Sequence, residues 1–389
     1  MFQKFFNSEK SGGLLLIFCT IVSLVVAGSS LGPSYIHIWH FPAHLRIGGY
    51  DISFNVEEWI NDGLMSFFFL LVGLEIEREL YAGELSSPKN AILPIMAAIG
   101  GMLIPALVYY ILNHDKSTQS GIGIPMATDI AFSLGILSLV GSRIPLSLKI
   151  FLTALAIMDD LGAVIVIAIF YTTSFSFYFL ALAIALLIVL FILNLKNVYT
   201  LWIYLPAGVL LWYFLLRSGV HPTLSGVLLA FAIPFRKNRE HNPSSYLEHA
   251  LHKPVSFFII PLFALANTAI RLPEHWFSEI FHANSLGIML GLLLGKPIGI
   301  IGLTMLGTSL GIAKLPEGMT ITRLAGLGFL AGIGFTMSIF ISNLAFEGRD
   351  ALIESSKVAV LLTSALAAVT GWIILKREMK NSGLKDPGL

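Results

Sequence analysis

The chain has 389 residues, 24 of them Lys or Arg and 23 Asp or Glu, for a formal net charge of +1. Only 12% are charged while 56% are hydrophobic, roughly half the charge of a soluble domain. Such a chain cannot build a polar shell; its near-neutral charge gives no footing for nucleic acid, and its one cysteine, Cys19, excludes a disulfide scaffold.

Apolar stretches long enough for a bilayer core, about 20 residues each, fall at 12–32, 59–76, 90–113, 121–140, 147–171, 174–195, 199–216, 218–235, 250–270, 285–308, 321–345 and 357–376. They are continuous rather than alternating, which excludes a β-barrel. The expected fold is an all-α polytopic membrane protein with 12 transmembrane helices. The first stretch follows Lys4 and Lys10 and ends at Ala27-Gly28-Ser29, as a signal peptide would; we read it as a first transmembrane helix. Loops are short, so residues 1–389 are expected to form a single membrane transport domain. The longest loop, 33–58, alternates apolar residues at Ile36, Ile38, Leu45, Ile47, Tyr50, Ile52 and Phe54 around Gly48-Gly49. It is expected to be external and to carry a β-hairpin, whose edge offers a dimer contact. With the N-terminus inside, 17 loop Lys and Arg face the cytoplasm and 6 face outward. The positive-inside rule therefore puts both termini in the cytoplasm.

Four charges cannot be moved into loops: Asp129 in the fourth span, Asp159 and Asp160 in the fifth, and Lys296 in the tenth. Charge at that depth is expensive and usually functional. Each residue sits near the middle of its span, and at about 1.5 Å rise per residue all four share one depth. A structural ion pair accounts for one carboxylate and one ammonium. Three carboxylates for one ammonium require that the others be neutral, bind a cation or face water. Asp159 and Asp160 point about 100° apart around their helix, which suggests two roles. Asp160 shares its face with Thr153, Ala156, Ala163 and Val164, whose small members leave room for an ion. Carboxylates in that setting let protons and small hard cations compete for one site.

The fourth span carries Gly121, Gly123 and Pro125 before Thr128-Asp129. The eleventh carries Gly326, Gly328, Gly332 and Gly334 before Phe335-Thr336. Breaker-rich stretches at membrane depth are tolerated around a cavity, and their placement points to an inverted-topology repeat of spans 3–5 and 10–12 with discontinuous helices 4 and 11. Close helix packing through small residues is the competing explanation for the glycines, and it suits Gly291, Gly295 and Gly299 better.

The motifs Ala127-Thr128-Asp129-Ile130-Ala131-Phe132, Ala156-Ile157-Met158-Asp159-Asp160-Leu161-Gly162, Ser218-Gly219-Val220-His221 and Gly295-Lys296-Pro297 together resemble the NhaA family of bacterial sodium/proton antiporters. So do Gly332-Ile333-Gly334-Phe335-Thr336-Met337-Ser338-Ile339-Phe340, Trp59-Ile60-Asn61-Asp62 and Leu71-Val72-Gly73-Leu74-Glu75. The resemblance runs in order along nearly the whole chain. It implies twelve helices, crossed broken helices four and eleven around Gly332 and Gly334, and a homodimer in the bacterial inner membrane joined through the hairpin. It implies that Asp160 and Asp159 form a shared Na⁺/Li⁺ and H⁺ site, that Lys296 pairs with Asp159 and changes partner during the cycle, and that Thr128 and Asp129 lie beside the site, with Asp129 offsetting helix ends. It also implies a cytoplasmic pH-regulating cluster of Glu75, Arg78, Glu79, Glu248, His249 and His252. His221 is implied as a further pH-response residue, although a His opening an apolar helix is otherwise a hydrogen-bonded structural residue. His37, His40 and His44 lack metal-ligand spacing.

The expected function is electrogenic, pH-regulated antiport, two protons entering for each Na⁺ or Li⁺ leaving, without enzymatic chemistry or cofactor. Na⁺, Li⁺, H⁺, the lipid bilayer and a second copy are the expected partners. An intramembrane aspartyl protease is the first rival, but Asp159 and Asp160 are neighbours on one helix rather than facing across a water. A sodium-coupled solute symporter is the second, but no midplane Arg or aromatic cage suggests an organic substrate.

Overall fold

The computed structural model describes residues 9–47, 50–141, 144–171, 175–236, 242–271, 276–316 and 318–381. The Gly48-Gly49 turn and several residues counted for orientation (Lys4, Arg143, Lys237, Arg239 and Lys385) lie outside them. Among the described residues nine helices are long and apolar enough to cross a membrane, ten if a bent pair counts as one span.

The chain opens with α1 (Glu9–Ala27) and the short α2 (Gly32–Trp39). Residues Ile36 and Ile38, read as β-prone, are therefore helical. Pro33 starts α2, and Tyr35 stacks edge-on against Trp39 one turn later at 5.7 Å, so local helical contacts win over alternation. The hairpin follows as β1 (Pro42–Ile47) and β2 (Tyr50–Asn55), antiparallel with Leu45 opposite Ile52. Asn55 and Glu58 form a reciprocal capping box that turns β2 into α3 (Val56–Tyr81), and Trp59 Nε1 donates to Ala43 O at 2.7 Å, pinning the hairpin to that helix.

Then come α4 (Pro88–Asn113), a 3₁₀ stretch Gln119–Met126 leading to α5 (Ile130–Val140), α6 (Leu146–Phe170), α7 (Phe177–Leu195) and α8 (Leu201–Ser218). The eighth expected span, 218–235, is helical only as α9 (Leu224–Ala232). Gly219 at φ 84° and Pro222 spend the first residues on a turn, and Pro234 follows the end. The first expected span, 12–32, is likewise short, because the apolar helix ends at Ala27. These two segments make the count of long spans smaller than twelve. The chain finishes with α10 (Pro243–Asn267), α11 (Ala283–Ser309), α12 (Ile321–Ala331), α13 (Phe335–Ala345) and α14 (Asp350–Asn381).

Two compact units are present. One is Met1–Leu14, Glu84–Ala163 and Leu272–Leu389; the other is Leu15–Gly83 and Val164–Arg271. In the first, α4 and α11 pack with Gly100 and Gly299 backbone to backbone: a Cβ on either would strike the other's carbonyl oxygen. In the second, Gly73 of α3 lies against Ala230 and Val227 of α9, and Gly226 against the backbone from Ser66 to Leu70. Small residues bring the helices close where no hydrophobic effect drives them together.

Candidate functional site

The site is built on two interruptions in the first unit. Between the 3₁₀ stretch and α5 the chain runs extended through Ala127, Thr128 and Asp129. Between α12 and α13 it breaks at Gly332, Ile333 and Gly334, and the two helices diverge by 46°. Each break frees backbone groups that a buried environment must satisfy, and each satisfies the other. Asp129 N donates to Ile333 O at 2.7 Å, Ser133 Oγ to Leu330 O at 2.7 Å and Ser338 Oγ to Ile124 O at 2.7 Å. A Cβ on Gly332 would press on Leu292 O, and one on Gly334 on the Ser338 side chain, so both glycines are required by close approach.

Asp129 is 2% exposed and caps two helices at once. Its Oδ1 accepts Phe132 N at 2.9 Å at the start of α5. Its Oδ2 accepts both Thr336 N at 3.0 Å and Thr336 Oγ1 at 2.5 Å at the start of α13. A carboxylate there answers the positive ends of both half-helices. Phe335 N finds Ser364 Oγ of α14 at 3.2 Å.

Beside the breaks, α6 presents Asp159 and Asp160, each 1% exposed, and α11 presents Lys296, fully buried. Lys296 follows a π-helical turn, Gly291–Gly295, a wide turn often found at functional positions. Its Nζ lies 3.0 Å from Asp159 Oδ2 and donates to Met126 O, near the end of the 3₁₀ stretch, at 2.5 Å. It thus neutralises a carboxylate and a helix C-terminal carbonyl together. Thr128 Oγ1 contacts Asp159 Oδ2 at 2.6 Å and Ala331 O at 2.9 Å. Asp159 Oδ1 is buried with no hydrogen-bond donor on it among the described residues. It faces Gly101 of α4, where an added Cβ would stand 3.9 Å away. A buried carboxylate oxygen of this kind offers a small cation a hard ligand.

Five expected residues, Asp159, Asp160, Lys296, Thr128 and Asp129, therefore come from three separate chain segments into one unit, and Asp159, Lys296 and Thr128 are in direct contact. Asp129 acts on helix ends through Thr336 rather than on Asp159. Sequence reading missed Ser133, Ser338, Ser364 and Gly101 as site residues; the serines sit within a turn or so of a break or on a facing helix, and only the position of Ser133 and Ser338 as the fourth residue of each helix signals them.

The expected regulatory residues lie in the second unit. Arg78 bonds Glu79 Oε1 at 3.0 Å and Glu248 Oε1 of α10 in a close pair. Glu75 is half-buried one turn before, and His249 and His252 are exposed just past Glu248. A residue that sequence reading passed over joins this group: Glu77, 3% exposed, accepts Ser244 Oγ at 2.6 Å. His221 is separate. Its Nδ1 meets Thr223 Oγ1 at 2.6 Å and its Nε2 lies 3.4 Å from Asp62 Oδ1, so it is held by hydrogen bonding to its surroundings.

The sequence pattern of the family described as Na⁺/H⁺ antiporter 1 matches residues 3–375. A Flavobacterium johnsoniae protein named Na⁺/H⁺ antiporter NhaA 1 is 53% identical over 375 residues, 96% of each chain. The Flavobacterium psychrophilum Na⁺/H⁺ antiporter NhaA is 53% identical over 386 residues, 99% of this chain and 98% of that one. The Vibrio cholerae antiporter of the same name is 46% identical over 382 residues, 97% and 98% of the two chains. With the pattern covering almost the whole length and half the residues shared, the chain belongs to the NhaA family of Na⁺/H⁺ antiporters.

Proposed function

We propose that the protein exchanges cytoplasmic Na⁺ or Li⁺ for external H⁺ by alternating access in the bacterial inner membrane. The observation that carries the reading is the buried group at the breaks: Asp159 paired with Lys296 at 3.0 Å, an Asp159 oxygen with no donor among the described residues, and Asp160 next in the chain and equally buried. Asp160 and Asp159 hold the cation, with Thr128 offering a hydroxyl oxygen. Arrival of the cation displaces Lys296 from Asp159; departure of the cation lets protons and Lys296 return. One cation and its competing protons cannot share the site, so exchange follows from competition alone when the site opens to either side. Asp129 serves as the common cap of α5 and α13.

Two protons per Na⁺ give one net charge inward per cycle, to which the membrane potential contributes about 2.3 kcal/mol per 100 mV. The protein is expected to work as a homodimer joined through β1 and β2, with twelve membrane passages, both termini cytoplasmic, and spans 3–5 and 10–12 as inverted repeats. Glu75, Arg78, Glu79, Glu248, His249 and His252 set its pH response, with His221 contributing. The test is Na⁺-dependent collapse of a pH gradient in everted vesicles. Asp160→Asn should abolish it, and retained exchange would sink the site assignment.

A further inference from the structure

Four hydroxyls at the two breaks donate across them. Three have one acceptor each: Ser133 on Leu330 O, Ser338 on Ile124 O and Thr336 on Asp129 Oδ2. Thr128 has two, Asp159 Oδ2 at 2.6 Å and Ala331 O at 2.9 Å. A threonine hydroxyl carries a single hydrogen, so only one of these contacts is a hydrogen bond at any instant. The shorter one ends on a carboxylate paired with Lys296, and a bond to an ionised acceptor is roughly twice as strong as one between neutral groups. In this arrangement the hydrogen belongs to Asp159. Ala331 O, on the last residue of α12, goes without it.

We infer that Thr128, besides offering its oxygen to the cation, carries one hydrogen that turns from Asp159 to Ala331 O when a small hard cation is bound at Asp159. The inference rests on the reading of Asp159 and Asp160 as the cation site. A cation against the carboxylate attracts the lone pairs of Thr128 Oγ1 and repels its hydrogen. Rotation about the C–O bond satisfies both: a lone pair faces the cation and the hydrogen finds the carbonyl 2.9 Å away. No covalent bond changes and no proton leaves Thr128. Cation occupancy therefore adds one hydrogen bond between the extended link Ala127–Asp129 and the C-terminal turn of α12. A ligand shifts a conformational equilibrium only through a difference in interaction between its states, and this bond is such a difference, transmitted from the ion to the second break.

The test uses the full-length protein in proteoliposomes, following radiolabelled Na⁺ exchange. Thr128→Val keeps the side-chain shape without the hydroxyl, and Thr128→Ser restores the hydroxyl. At saturating Na⁺ the Val variant should exchange up to about tenfold more slowly, the worth of one net hydrogen bond, and the Ser variant should recover most of the rate. A loss confined to KM, fully regained at high Na⁺, would make Thr128 a ligand alone and overturn the inference. A second measurement needs no variant: amide hydrogen exchange over Leu330–Phe335 of the wild type in Na⁺ against choline. Several-fold slowing in Na⁺ is expected, and an unchanged rate overturns the inference. Na⁺-dependent exchange surviving in Asp160→Asn would remove the site reading itself, and this inference with it.

Discussion

Lys296 and Arg78 each answer carboxylates, in opposite surroundings. The Lys296 and Asp159 side chains are fully buried, whereas the Arg78 side chain is 39% exposed beside Glu79 and Glu248. In the first region burial makes each charge lean on its neighbours: Lys296 covers Asp159 and Met126 O, and Asp129 covers two helix starts. In the second, water reaches the Arg78 guanidinium, although its partner Glu248 and the neighbouring Glu77 are buried, so the cation of the pair is screened and its carboxylate is not. Burial turns an ordinary ion pair into a site whose occupancy matters, and exposure turns a similar set into one able to respond to the bulk phase.

The contrast is broken most directly at the two cations. Lys296→Met strands Asp159 in the interior, and breaking a buried pair should cost about 3–5 kcal/mol, read as loss of stability in mixed-micelle unfolding. An effect as small as that at Arg78 would erase the distinction. Asp129→Ala removes the caps of α5 and α13 together. At about 1 kcal/mol per cap it should destabilise by about 2 kcal/mol. Asp129→Asn, which keeps one acceptor oxygen, should fall between Ala and wild type. The smallest effect is expected for Arg78→Gln: about 1 kcal/mol, because the guanidinium is screened by water while the buried Glu248 loses its partner, and shrinking as salt is raised. A large, salt-insensitive loss there would mean that the second region is as dry as the first.

Much of this was legible in the residues. Depth along each span brought Asp159, Asp160, Asp129 and Lys296 to one level, and Gly-rich stretches marked both breaks. What stayed hidden is rotational and long-range. That Thr128 meets Ala331, 203 residues away, or that Asp129 caps a helix through Thr336, 207 residues away, depends on how two breaks are laid against one another. No local pattern encodes that. The segment 218–235 is helical over a shorter extent than expected for a different reason. Its hydropathy reads as a span, but Gly219 and Pro222 take the backbone into a turn first. The alternation at Ile36 and Ile38 failed because eight residues of α2 satisfy a helix equally well once Pro33 starts one.

The π-helical turn at Gly291–Gly295 has a consequence for rotation. Relative to an α-helix such a turn holds one surplus residue, equivalent to about 100° of helical phase. α11 is thus two helices geared out of step, and its two halves choose their faces independently. Downstream, Gly299 must meet Gly100 while Lys296 meets Asp159; upstream, Asn284 bonds Tyr109 and Ser356. Removing a single residue from the turn would restore regular winding and force a choice between these engagements. The surplus residue acts as a clutch, letting one continuous helix keep two registers.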